Sequence, residues 1–188
     1  MVTDLYPRDA AQRAQRIRLV VTDNDGVLTD GTVYVSPAGE QMKAYSVRDG
    51  MGVERLRLAG ISTGVLTREP PALIAPRAHK LEMRYLWTSV RDKHAHLTQI
   101  LAEGYQLDEL AYIGDDLNDL EIIQAIGVRG LTAAPGDAMP RVRDAVHFLC
   151  DATGGRGAFR EVAEWLLSLR APHLLSGGDS HAKRDPDR

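Results

Sequence analysis

Short apolar runs of strand length alternate along this chain with segments of helical character, and that alternation constrains the fold more than any other feature. The runs are "IRLVVTD" (17–23), "ISTGVLT" (61–67), "MRYLW" (83–87), "LAYIG" (110–114) and "VHFL" (146–149), with helices expected at about 50–59, 71–81, 92–103, 117–126 and 157–170. Short strands that are continuously apolar belong to parallel sheets buried on both faces. The expected architecture is therefore α/β, a three-layer, Rossmann-like parallel sheet with helices on each side. The stretch 31–47, "GTVYVSPAGEQMKAYSV", breaks the rhythm with two alternating runs around Ser36-Pro37-Ala38-Gly39. That pattern predicts a β-hairpin inserted after the first strand. No insertion is long enough for a second, cap-like domain, so one domain is expected over residues 1–170, with a polar, flexible tail over 171–188.

Composition narrows the function classes. A formal net charge of −3 leaves no electrostatic footprint for nucleic acid or an anionic membrane. No apolar run approaches the roughly 18–20 residues of a membrane span, and the opening "MVTDLYPRDAAQRAQR" lacks the apolar core of a secretory signal. Cys150 stands alone, which excludes an intrachain disulfide and points to a reducing, cytoplasmic setting. A small-molecule ligand is the expected partner.

The first apolar run ends in "TDNDGVLTDG" (22–31). Residues two apart in extended backbone project to one face, so Asp23 and Asp25 project together at a strand's carboxyl end, where open α/β sheets bind ligands. Crowded carboxylates repel, and a divalent cation or a proton between them relieves this. An all-oxygen ligand set favours Mg²⁺ over zinc or copper. A solvated acidic turn is the bland alternative. A calcium loop is excluded because Val27 and Leu28 stand where its ligand and glycine belong.

A second cluster, "YIGDDLNDL" (112–120), places Asp115 and Asp116 at another strand end, with Asp119 able to face back across the first helical turn. Helix-start acids favoured by the dipole are the plain reading of any one of them. Thr67 in "GVLTREP" ends the second strand, and Lys93 in "SVRDKHAHL" opens a helix, where a cation is unfavourable. Alone, each reads as structural or surface. His94 and His96 do not share a helix face, which argues against zinc.

Asp-x-Asp, then Thr, then Lys, then Gly-Asp-Asp-x-x-Asp, each at a strand end or the following loop, resembles the motif order of the haloacid dehalogenase-like phosphatase superfamily. "DGVLTDG", the hairpin, "VRDGMGVERLRLAGI" (47–61), "AYIGDDLND" (111–119) and "GGRGAFRE" (154–161) are similar to its capless branch acting on octulosonate and nonulosonate phosphates. The resemblance implies a phosphatase with Asp23 as nucleophile, Asp25 as general acid/base and Thr67 and Lys93 at the phosphate. Mg²⁺ is implied on the Asp23 carboxylate, the Asp25 carbonyl and Asp115, with Asp116 and Asp119 supporting from behind. Ser46, Val47, Arg48, Asp49, Gly50 and Arg77 match substrate-contacting positions. A homotetramer is implied in which a neighbour helps close each site, with the 154–157 loop and the tail approaching a neighbour's active site.

Two positions depart from the octulosonate pattern. Thr67-Arg68-Glu69 replaces Thr-Gly-Arg, and Glu54 stands where arginine is common. Arg68 and Arg55, next to them, are the candidate replacements, while Thr-x-Glu is similar to nonulosonate-pathway members. A phospho-receiver domain and a non-catalytic partner of a sugar-nucleotide enzyme are the competing readings. The first would carry adjacent acids at its first strand, and the intact Asp23, Asp25, Lys93 and Asp115 count against the second. Asn24, between the two acids, has no role in this reading.

Overall fold

The computed structural model describes residues 7–170. The expected tail over 171–188 lies outside the described residues. Helix α1 (Pro7–Arg16) leads into β1 (Leu19–Thr22), followed by the hairpin strands β2 (Tyr34–Ser36) and β3 (Gly39–Met42). Helices and strands then alternate as α2 (Val47–Leu58), β4 (Ser62–Leu66), α3 (Ala75–Lys80), β5 (Tyr85–Trp87), α4 (Lys93–Ala102) and β6 (Leu110–Ile113). The order closes with α5 (Leu120–Gly127), β7 (Leu131–Ala134), α6 (Pro140–Arg143), β8 (Phe148–Leu149) and α7 (Ala158–Arg170). Six parallel strands form one sheet in the order β5-β4-β1-β6-β7-β8, and the hairpin forms a separate two-stranded sheet.

The continuous apolar run of β1 follows from its central place. Val20 faces a core with Val53, Leu56, Phe159 and Val162 from α2 and α7. Leu19 and Val21 face a second core with Leu97, Ile100, Ile122 and Ile126 from α4 and α5. Alternate residues thus serve opposite helical layers, and each strand is apolar throughout because neither face meets water.

Where the structure departs from expectation, weak local signal is the reason. Strand β7, not among the expected strands, is "LTAA", whose small residues carry little apolar contrast, yet it is fully buried between β6 and β8. Helix α1 is mostly polar, and among its described side chains Ala10 and Ala14 make a narrow buried stripe. The helix expected over 71–81 shortens to Ala75–Lys80, after Pro70 and Pro71. The segment 117–126 divides into a 3-10 turn, Leu117–Asp119, and α5. The hairpin is paired only over Tyr34–Met42, turning through Gly39 at φ +101°.

Candidate active site

Strand β1 delivers Asp23 to the carboxyl edge of the sheet, where its N–H is held by the carbonyl of Ile113 on β6 at 2.9 Å. The strand order reverses about β1, so the loops after β1, β4, β5 and β6 open onto one crevice. Asp23 Oδ1 accepts the N–H of Asn24 at 2.7 Å, and Oδ2 accepts from Lys93 Nζ at 2.6 Å. The same ammonium donates to Asp119 Oδ1 at 2.7 Å, and the Tyr112 hydroxyl donates to that oxygen at 2.6 Å. Asp119 Oδ2 accepts the N–H groups of Asp115 and Asp116 at 3.2 and 3.3 Å. Asp119, expected behind the metal ligands, is the fully buried hub that fixes Lys93 and the Asp115 loop together.

Lys93 is buried beside α4's first turn, a place unfavourable for a cation in isolation. Burial alone would lower its pKa, but the charges and hydrogen bonds of Asp23 and Asp119 outweigh that and raise it. Burial and the charge of Asp119 push Asp23 up to about 7, against the pull of Lys93. Burial, then Asp23 and Asp119, push Asp115 up to about 8. Lys93 does not neutralise the acids it meets, and the excess negative charge calls for a proton or a further cation.

Two observations fit a divalent cation there. Asp115 Oδ1 is buried without a hydrogen-bond partner. Gly26, at φ +81°, has no Cβ because the Asp115 carboxylate packs into that space, which brings Asp115 against the acidic loop. Carboxylate oxygens of Asp23, Asp115 and Asp119 lie within 4.8 Å of one another, but Asp119 is fully buried and does not line the cavity that Asp23 and Asp115 line. Asp23 and Asp115 are thus left as the side-chain donors. The cavity there, about 340 Å³, is lined by Asp23, Asp25, Gly26, Asp115 and Asp116, among others. Asp116 is exposed and accepts the N–H of Leu117.

Asp25 is fixed from three directions. Asn24 Nδ2 and Thr29 Oγ1 each donate to its Oδ1 at 3.1 Å, and Lys43 Nζ donates to its Oδ2 at 2.7 Å. Asn24 Oδ1 accepts from the Tyr45 hydroxyl at 3.2 Å, so the residue without a role in sequence links the acidic loop to the segment preceding α2. Lys43 was not among the sequence candidates. Its only signal there was its place just after the hairpin's second strand. Burial lowers its pKa, and Asp25, then Glu69 and Glu40, more than reverse this.

Thr67 is buried at the end of β4, and its Oγ1 accepts the N–H of Glu69 at 3.1 Å. Its backbone pairs with Trp87 and Val90, locking the loop after β4 to the loop after β5. Ser46 caps α2 by accepting the N–H groups of Arg48 and Asp49. Arg77 crosses this helix start, donating to the Ser46 carbonyl at 2.9 Å and lying over Tyr45, in space kept clear by Gly50. Val47, Arg48 and Arg68 are exposed. Asp49, expected to contact substrate, instead turns into the fold: its oxygens accept the N–H groups of Gly157 and Arg160 at 3.1 and 3.0 Å. Of the two candidate replacement cations, Arg55 is drawn off to Glu164 on α7 at 3.1 Å. The 154–157 loop, expected against a neighbour's site, packs against its own chain's acidic loop. Gly155 N–H donates to the Val27 carbonyl at 2.9 Å, and a Cβ on Gly154 would overlap the Gly26 carbonyl.

No protein-family model matches the chain. It is 38% identical over 160 residues to 3-deoxy-D-manno-octulosonate 8-phosphate phosphatase KdsC of Yersinia pestis, covering 85% of this chain and 84% of that one. Among solved structures it is similar to the Moraxella catarrhalis 3-deoxy-D-manno-octulosonate 8-phosphate phosphatase in complex with magnesium, phosphate and KDO. That similarity has 30% identity and TM-score 0.83, over 90% of this chain and 97% of that one. It is also similar to a probable YrbI family phosphatase from Pseudomonas syringae, at 36% identity and TM-score 0.83, over 89% and 94% of the two chains.

Proposed function

The chain belongs to the 3-deoxy-D-manno-octulosonate 8-phosphate phosphatase family of haloacid dehalogenase-like hydrolases, and we propose that it hydrolyses the phosphate monoester of an eight- or nine-carbon sugar acid through an aspartyl-phosphate. One observation carries the reading: Asp23 is held by the buried Lys93 ammonium and lies within 4.8 Å of the Asp115 carboxylate, which has an orphaned oxygen, with the pinned Asp25 two residues on. Asp23 attacks phosphorus with one carboxylate oxygen while Asp25 protonates the departing sugar oxygen. Asp25 then takes a proton from water, which attacks the acyl phosphate and frees Asp23. Thr67 and Lys93 bind phosphoryl oxygens, and Lys93 offsets charge gathering there. The Asp23 and Asp115 carboxylates with the Asp25 carbonyl would hold Mg²⁺, which when bound would neutralise phosphoryl charge and the repulsion between these acids.

Asp49 serves this site by anchoring α2 to the 154–157 loop, while Ser46, Val47, Arg48, Gly50, Arg68 and Arg77 remain for substrate. The hairpin is detached from the main sheet and exposes Tyr34, Val35 and Met42. A two-stranded ribbon is marginal alone, so hairpins of several copies associate into a homotetramer, and a monomeric mass by light scattering at micromolar protein would count against that. Among the described residues no helix is long and apolar enough to cross a membrane. A cytoplasmic setting completes the reading.

The test is phosphate release with Mg²⁺ from octulosonate, nonulosonate, hexose and nucleotide phosphates, by wild type and Asp23→Asn. Selective turnover of a sugar-acid phosphate, abolished in Asp23→Asn with circular dichroism unchanged, is expected. Flat, slow turnover of every ester would overturn the substrate class, and activity in Asp23→Asn would overturn the nucleophile.

A further inference from the structure

We infer that Lys43, carried to the site by the hairpin, is a positioning residue for proton transfer: it holds the Asp25 carboxylate toward the cavity that receives the leaving group. This rests on the reading of Asp25 as general acid/base given above.

Lys43 directly follows β3, and its side chain is only 2% exposed although the strand before it is exposed along its length. A lysine side chain loses much conformational freedom when fixed, and its ammonium is ordinarily left in water. Here Nζ lies 2.7 Å from Asp25 Oδ2 and 3.5 Å from Glu69 Oε2. Asn24 and Thr29 restrain only the other oxygen of Asp25. Without Lys43 the carboxylate would keep one anchored oxygen and swing the other. A proton donor displaced by about an ångström loses much of its effect.

The direction of the hold is informative. Beside Lys43 lies a cavity of about 280 Å³ lined by Asn24, Glu40, Lys43, Glu69, Pro70 and Leu73, among others. The acidic cavity with Asp23 and Asp115 is a separate space, lined by Asp25 as well. Of the two spaces, Asp25 lines the acidic one, and Lys43, bound to its Oδ2, lines the other, so this ion pair joins the reacting phosphate's cavity to the first cavity. That cavity pairs one cation with acidic and apolar lining, a surface suited to a hydroxylated leaving group. A tether for a marginal hairpin is the merely structural role to be told apart from this one.

The two roles separate by leaving group. An unactivated alkyl phosphate needs its departing oxygen protonated, whereas p-nitrophenyl phosphate leaves as a stable phenolate and needs little help. kcat/KM reports the steps through departure of that group. Full-length wild type, Lys43→Met and Lys43→Arg are compared with Mg²⁺ on p-nitrophenyl phosphate and on the alkyl phosphate that wild type turns over best. Lys43→Met should lose about 10- to 100-fold on the alkyl ester and less than about threefold on the aryl ester, with Lys43→Arg recovering part of the alkyl rate. Equal losses on both esters, or none on the alkyl ester, would leave Lys43 a tether and overturn the inference.

Thermal unfolding checks that the variants fold. If Lys43→Met does not, the alkyl-to-aryl ratio of Lys43→Arg decides, a lowered ratio supporting the inference and an unchanged one overturning it. A wild type that cleaves hexose or glycerol phosphate but no sugar-acid phosphate overturns the substrate assignment and leaves this comparison intact. A wild type that cleaves no ester overturns both.

Discussion

Lys93 Nζ lies 2.6 Å from Oδ2 of Asp23, and its ammonium is sealed from solvent. Removing it would leave Asp23 and Asp119 buried together without a counter-charge, so Lys93→Met is expected to cost about 3–5 kcal/mol in unfolding free energy by denaturant titration. Phosphate release should fall with it, because the proposed mechanism sets the same ammonium against the phosphoryl oxygens. A variant of wild-type stability would mean that the two carboxyls are protonated in the native state.

The pH dependence of stability follows from the acids around that lysine. Asp23 at about 7 and Asp115 at about 8 both stand above the value of 3.8 for an unconstrained aspartate. The unfolded chain releases these protons near pH 4, while the folded metal-free chain keeps them to pH 7 or 8. Their stabilisation is thus full below about pH 4 and lost as pH rises through 7 to 8. Mg²⁺ held by the deprotonated pair, as proposed, would oppose this loss. The rise in Tm on replacing EDTA with Mg²⁺ is therefore expected to be larger at about pH 8.5 than at about pH 5.5. An increment independent of pH would separate the metal from these two carboxyls.

Gly26 is required by the Asp115 carboxylate beside it. A Cβ there would overlap that carboxylate, at a φ of +81° that already disfavours a side chain. Gly26→Ala is expected to cost about 1–2 kcal/mol from the backbone alone. It should also weaken Mg²⁺ binding by more than about tenfold, as read from the Mg²⁺ dependence of Tm.

Asp49 offers a clean separation of roles. Its carboxylate caps the start of α7 through Gly157 and Arg160, more than 100 residues away in sequence. Asp49→Ala should lower stability by about 1–2 kcal/mol, the usual cost of a lost cap and its unpaired N–H groups. A raised KM at unchanged stability would instead return Asp49 to the substrate.

Strand positions and the two acidic loops were legible because their signals are local. A buried parallel strand is apolar over consecutive residues, and a turn to an acidic loop follows within a short window, so Asp23, Asp25 and Asp115 stood out at their strand ends. β7 was missed for the same reason, since "LTAA" is small and barely apolar, and its burial is settled by the strands on either side.

By itself, then, the amino-acid order determined the parallel α/β sheet, the hairpin after its first strand and which carboxylates gather at its carboxyl edge. Only the tertiary structure decided their partners. Lys43 reaches Asp25 from 18 residues away, Lys93 reaches Asp119 from 26, and Asp49 leaves the substrate side for a helix 108 residues on. Such pairs carry no periodicity. Each buried charge takes whichever donor or acceptor the packed layers bring within hydrogen-bond reach, because leaving it unpaired in a dry interior costs more than any local preference supplies.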